Sequence, residues 1–178
     1  MNKRTLKICY SAICLALAIV LPLATGQLRA IGNSLCPMHL PVLLCGFLCG
    51  WPYGLAVGFI APLLRSAIFG MPVLFPSGIG MAFELAAYGL FAGLFYRYFP
   101  KKPGYLYVSL LLSMLLGRIV WGIVRFMLAG FQYSKFPFSL FLANGFTGAV
   151  PGMLIQIILI PPILLALKKA NLFPDERN

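Results

Sequence analysis

The sequence predicts an all-α, polytopic membrane protein of six transmembrane helices, with N- and C-termini cytoplasmic. Three observations carry this. The 178 residues are 61% hydrophobic with a mean hydropathy of +0.95, and only 10% are charged, against about 25% in soluble domains. The apolar residues form runs close to the ~20 residues that cross a bilayer. Lys and Arg gather at the ends of these runs, as the positive-inside rule expects, and form no basic face or stripe. The net charge of +11 therefore points to topology and not to nucleic acid.

In chain order the predicted spans are approximately 5–24, 38–50, 53–70, 77–96, 105–130 and 139–168, forming one domain over residues 1–178. The first begins like a signal peptide, with Lys3, Arg4 and Lys7 ahead of an apolar stretch and Ala24-Thr25-Gly26. That stretch, Ile8 to Ala24, exceeds the ~7–15 residues of a usual signal core, so it reads as a retained helix. The second span is short and is closed by Gly50-Trp51-Pro52, a tight turn. The second and third spans thus read as a hairpin whose first arm crosses only part of the bilayer. A polar stretch, Gln27 to Pro37, and a Pro/Gly-punctuated link, Gly70 to Gly78, join the helices at the other end.

Orientation follows from counting cations. With the N-terminus inside, inner segments hold Lys3, Arg4, Lys7, Arg97, Lys101, Lys102, Lys168, Lys169 and Arg177, and outer loops hold only Arg29 and Lys135. Nine against two is a strong bias. It places the chain in the cell membrane as a multi-pass protein surrounded by lipid.

Four ionisable residues lie within the apolar spans: Arg65, Glu84, Arg118 and Arg125. A charge at the bilayer centre costs roughly 2.5–3.5 kcal/mol on insertion scales, so it seldom occurs without a partner or a cavity. The topology puts Arg65 about five residues, or roughly 8 Å, from the outer end of its helix, and Glu84 roughly 10 Å below the outer start of the next. Arg125 lies near the outer end of the fifth helix. Arg118, seven residues earlier, shares its face but sits deeper. His39 starts the second helix at the same side, and Asn144 and Thr147 fall in the outer part of the sixth. Glu84 paired with Arg65 is one purely structural reading. Three arginines against one glutamate still leave an excess of positive charge, and a guanidinium fork suits a carboxylate or phosphate. The residues point to an outward-facing pocket for a small anionic or zwitterionic solute. Arg65 and Arg125 are its main anion partners, Glu84 orients one of them, and Arg118 fits a ligand contact or a packing role equally. His39 and Asn144 are further candidates, and Tyr88, Trp121 and Phe83 are candidates for an apolar wall.

Other chemistry is poorly supported. Outside the C-terminal Asp175 and Glu176 the chain has one carboxylate, with no Ser/His/Asp set and no HExxH, so it does not read as an enzyme. Cys9, Cys14, Cys36, Cys45 and Cys49 show no CxxC pair and no zinc-ligand spacing; they read as small apolar residues, with no metal and no cofactor implied. In the first helix Ala12, Ala16 and Ala18 make a small-residue surface suited to close helix approach, inside the protein or against a partner.

Taken in order, these features resemble the substrate-binding S component of energy-coupling factor (ECF) vitamin transporters. The resemblance rests on the length, the six spans and the Ala12-xxx-Ala16 motif. It rests further on the segment from Pro37 to Phe59, PMHLPVLLCGFLCGWPYGLAVGF, and on Pro62-Leu-Leu-Arg65 and Met81-Ala-Phe-Glu84-Leu-Ala-Ala-Tyr88-Gly. It implies a vitamin or precursor bound near the outer surface under the loop between the first two helices. It also implies docking of the first helix, through Ala12 and Ala16, onto an ECF transmembrane coupling subunit joined to two cytoplasmic ATPase subunits. ATP turnover topples such a component to open its pocket inward. This chain carries no ATPase motif of its own. The arginines favour a carboxylate- or phosphate-bearing ligand, pantothenate first among the vitamins. The alternatives are a non-transport scaffold or assembly protein with structural intramembrane ion pairs, and a stand-alone secondary transporter, which the lack of an acid relay disfavours.

Overall fold

The computed structural model describes residues 2–25, 37–100, 102–131, 150–170, 172 and 173. Among them are six α-helices and one π-helical turn. The helices are α1 (Lys3–Thr25), α2 (His39–Cys49), α3 (Trp51–Phe69), α4 (Ile79–Tyr98), α5 (Pro103–Phe131) and α6 (Val150–Lys169). The turn, Leu74–Gly78, leads into α4. All helices except α2 are long and apolar enough to cross a membrane. The all-helical class therefore stands, while the count of full-length spans is five and not six among the described residues. The start of the predicted sixth span, 139–149, lies outside the described residues.

The short helix α2 forms the centre. Its 11 residues rise about 17 Å, against a hydrocarbon core of about 30 Å. Ten of the 11 are buried, so the helix is apolar all round because it is enclosed all round. It packs on α1, α3, α4 and α6. Gly50 makes the hairpin to α3: it adopts φ +93°, which a side chain would strain, and its N–H donates to the Gly46 carbonyl at 3.1 Å. Pro52 then sits in the first turn of α3, where its missing N–H costs nothing.

The most extensive contact is between α3 and α4. It is built backbone to backbone. A Cβ placed on Gly54 would lie 2.5 Å from the Gly89 carbonyl oxygen, and one on Gly46 would also lie 2.5 Å from it. Glycine is required here for close approach, the usual device when apolar packing alone holds helices together in lipid. Helix α3 stops at Gly70, left-handed at φ +67°, whose N–H bonds Ser66. The chain then bends through Leu74–Gly78, where Phe75 is non-helical and the Gly78 N–H closes onto the Val73 carbonyl at 2.8 Å. This turn delays α4 to residue 79, two residues later than the predicted start.

Helix α1 packs on α2 and α3 through one stripe, with Cys14, Ala18 and Pro22 buried at four-residue spacing. Its opposite face, with Ile8, Ala12, Ile13, Ala16, Leu17 and Val20, is exposed. Helix α5 lies against α4 and α6, and its Ser109 and Ser113 hydroxyls donate back to carbonyls of their own helix. After α6 the chain turns through a Leu172 N–H to Leu167 carbonyl bond, and Phe173 buries its ring near Tyr96.

Candidate functional site

Antiparallel packing brings together the start of α2, the end of α3, the start of α4 and the second half of α5. Their polar residues meet there. The Arg118 Nη1 donates to Glu84 Oε1 at 2.9 Å, with the two side chains 6% and 2% exposed. The same carboxylate oxygen lies 3.4 Å from His39 Nε2. One carboxylate thus holds a cation from α5 and an imidazole from α2.

This corrects the pairing suggested by the sequence, which offered Arg65 as the structural partner of Glu84 and Arg65 or Arg125 as the arginine it orients. The reason is axial register. Helix α5 has 29 residues against 20 in α4 and runs past the start of α4. Arg125 therefore lies beside Gly80, with its Cδ 3.0 Å from where a Gly80 Cβ would be, and Arg118, two turns back, reaches the level of Glu84.

Arg65 reaches the cluster from α3, its Nη1 3.7 Å from the Met38 sulfur, directly before His39. Sequence reasoning passed over Met38; only its place next to His39 signalled it. The Arg125 guanidinium carbon lies 6.0 Å from the Trp121 ring centre, at the outer limit of a cation–π contact. The Tyr88 ring sits behind His39, centroids 5.1 Å apart, and is fully buried. Gly117 of α5 makes room for it: a Cβ there would fall on the Tyr88 ring. Phe83 stands apart from this wall; it is 44% exposed and packs edge-on against the exposed Phe59 on the outside of the α3–α4 pair. Asn144 and Thr147 lie outside the described residues.

Several polar atoms here are buried. His39 Nδ1 and Arg65 Nε, together with Gln156 Oε1 on α6, have no hydrogen-bond partner among the described residues. Glu84 is the only acidic residue before Asp175. With Arg65, Arg118 and Arg125 always protonated, the intramembrane charge of this end sums to +2 whatever local contacts each guanidinium makes. The arrangement supplies hydrogen-bond donors and surplus positive charge in a low-dielectric setting, which suits an anion.

Fold and site together define a polytopic helical membrane protein whose buried charges collect at one end of the bundle. The sequence model of the ECF transporter substrate-specific component family matches residues 6–164. The chain belongs to this family. It is a substrate-binding subunit of an ECF-type uptake system and not itself an enzyme. No curated protein and no solved structure matches the chain.

Proposed function

We propose that the chain binds a small anionic, vitamin-like solute at the charged end of the bundle, with the carboxylate vitamin pantothenate as first choice. ATP-driven uptake then takes place with an ECF coupling subunit and two ATPases. The observation that carries this reading is the single carboxylate shared by Arg118 and His39, with two further arginines converging from α3 and α5. Glu84 offsets one arginine. Arg65 and Arg125 are the residues proposed to receive the ligand's carboxylate or phosphate, with Asn144 a further contact and Tyr88 holding His39 in place. The orientation with both termini in the cytoplasm, which puts this end outside, rests on the nine-to-two cation bias.

Docking on the coupling subunit is proposed to use the exposed face of α1, where Ala12 and Ala16 sit among Ile8, Ile13, Leu17 and Val20. Small residues at four-residue spacing on an exposed apolar face permit a second helix to pack closely. The competing reading is a scaffold whose charges only pair internally, and the buried Glu84–Arg118 bond favours it for those two residues. Mass spectrometry of the ligand retained by the purified protein separates the two. Recovery of one carboxylate- or phosphate-bearing small molecule, lost in Arg125→Gln, supports the binding reading. Recovery of none, with a carboxylate-vitamin panel giving no thermal shift, rejects it.

A further inference from the structure

At the opposite end of the bundle lies a concavity of about 410 Å³, within the range of small-molecule sites. It opens between the start of α1, the α2–α3 turn and the end of α4. Among the described residues its charged lining consists of Lys7 and Arg97. Trp51 and Tyr53 stand at one side and Tyr96 and Phe173 at the back. Gly46, Gly50 and Gly93 are among its lining residues, and Gly46 and Gly93 also lie tightly against the backbone of neighbouring helices.

We propose that this concavity binds the phosphate headgroup of an anionic glycerophospholipid. Three independent features fit that occupant. Two cations line it from separate helices, and basic pockets between membrane helices suit anionic headgroups. Trp51, Tyr53 and Tyr96 are the amphipathic aromatic residues that settle at the membrane–water boundary, so the cavity lies at headgroup depth. Beside it Trp51, Leu55 and Phe59 form an exposed apolar stripe at four-residue spacing down α3, 38–39% exposed each, which continues from the headgroup into the hydrocarbon layer as an acyl chain does. A free phosphate ion would use the cations and leave the stripe bare. The exposed Lys3 and Arg4 at the same end add attraction but do not line the cavity. The site is separate from the charge cluster on Glu84, so its occupancy and substrate binding are read independently.

The test is native mass spectrometry of the full-length protein, released from detergent micelles containing phosphatidylglycerol or phosphatidylcholine of identical chains. Phosphatidylglycerol should remain bound and phosphatidylcholine should not. The Lys7→Gln/Arg97→Gln variant should weaken retention roughly thirtyfold, from about 1 kcal/mol per cation near the surface. Lys7→Arg/Arg97→Lys, which keeps both charges, should retain the lipid and guards against a folding artefact, as should Lys3→Gln/Arg4→Gln. Millimolar inorganic phosphate should not displace it. The proposal is overturned by equal retention of phosphatidylcholine, or by full retention in Lys7→Gln/Arg97→Gln. Equal loss in Lys3→Gln/Arg4→Gln, loss in the folded charge-conserving variant, or displacement by phosphate overturns it too.

Discussion

Replacing Glu84 by Gln keeps the shape of the side chain and removes the only negative charge in the spans. The structure gives the cost. Arg118 lies 2.9 Å from Glu84, and both side chains are more than nine-tenths buried, so neither charge can turn to water. Removing one partner of such a pair destabilises by about 3–5 kcal/mol, chiefly through the uncompensated charge left behind. For a chain of this size 1 kcal/mol moves the melting temperature by about 2–4 °C, so Glu84→Gln should melt about 6–20 °C lower in detergent. The double variant Glu84→Gln/Arg118→Met removes both charges and should recover most of that loss, since a buried pair replaced by residues of similar volume is often neutral. It also leaves the summed charge of the site at +2, carried by Arg65 and Arg125. Thermal melts of the three proteins decide the matter. A Glu84→Gln shift below 2 °C would refute the premise that this carboxylate holds Arg118's charge. A double variant no more stable than the single one would refute the assignment of the loss to the stranded guanidinium.

The other predictions concern binding, docking and packing. Arg65→Gln and Arg125→Gln should each weaken binding of the anionic ligand about 10–150-fold by calorimetry, the worth of a charge-assisted hydrogen bond of about 1.5–3 kcal/mol. Ligand supplied at 100 times its Kd should stabilise the native protein by about 2.7 kcal/mol, or about 5–11 °C, and at the same ligand concentration the stabilisation should fall to about 0.3–1.4 kcal/mol in Arg125→Gln. Ala12→Leu/Ala16→Leu should abolish co-purification with the coupling subunit and leave ligand affinity unchanged; loss of both would mean misfolding. Gly89→Ala should lower thermal stability by an amount near or above the ~1–3 kcal/mol of ordinary overpacking, because the added Cβ meets the Gly54 backbone and no side chain can yield. Gly104→Ala, with open space around it, should melt like the parent.

Much of this fold could be read from the chain. The apolar runs located the six α-helices of the described residues, and Gly50-Trp51-Pro52 marked the hairpin because only glycine takes φ +93° cheaply. The shortness of α2 was legible too, though its enclosure by four helices was not, since a short apolar run looks the same buried or facing lipid. The convergence of Arg65, Glu84, His39 and Arg125 at one end followed from topology alone. The Glu84–Arg118 bond did not. It depends on how far α5 slides past α4, and neither apolar helix carries a marker of that register. Nor could the sequence say which face of α1 is exposed. The Cys14/Ala18 stripe and the Ala12/Ala16 face are equally apolar, so packing alone distinguishes them. Phe83 was misplaced for the same reason: in lipid an exposed aromatic is as acceptable as a buried one.

The two faces of α1 predict that the proposed binding and the proposed docking can be perturbed separately in so small a bundle. Its inner stripe is tied to α2, where Ser11 lies 3.6 Å from Cys45 and Cys14 and Ala18 enter the core. The other end of α2 presents His39 to Glu84. Any change on the inner stripe of α1 therefore shifts a helix that is buried on every side and begins in the charge cluster. Ala12 and Ala16 are exposed on the other face, so a change there should leave that path untouched. Close packing fixes α2 further, because Gly46 lies against the Gly89 backbone and cannot slide without opening the α3–α4 contact. The short helix thus stands as a tightly packed spacer between the face proposed for docking and the carboxylate that binds Arg118.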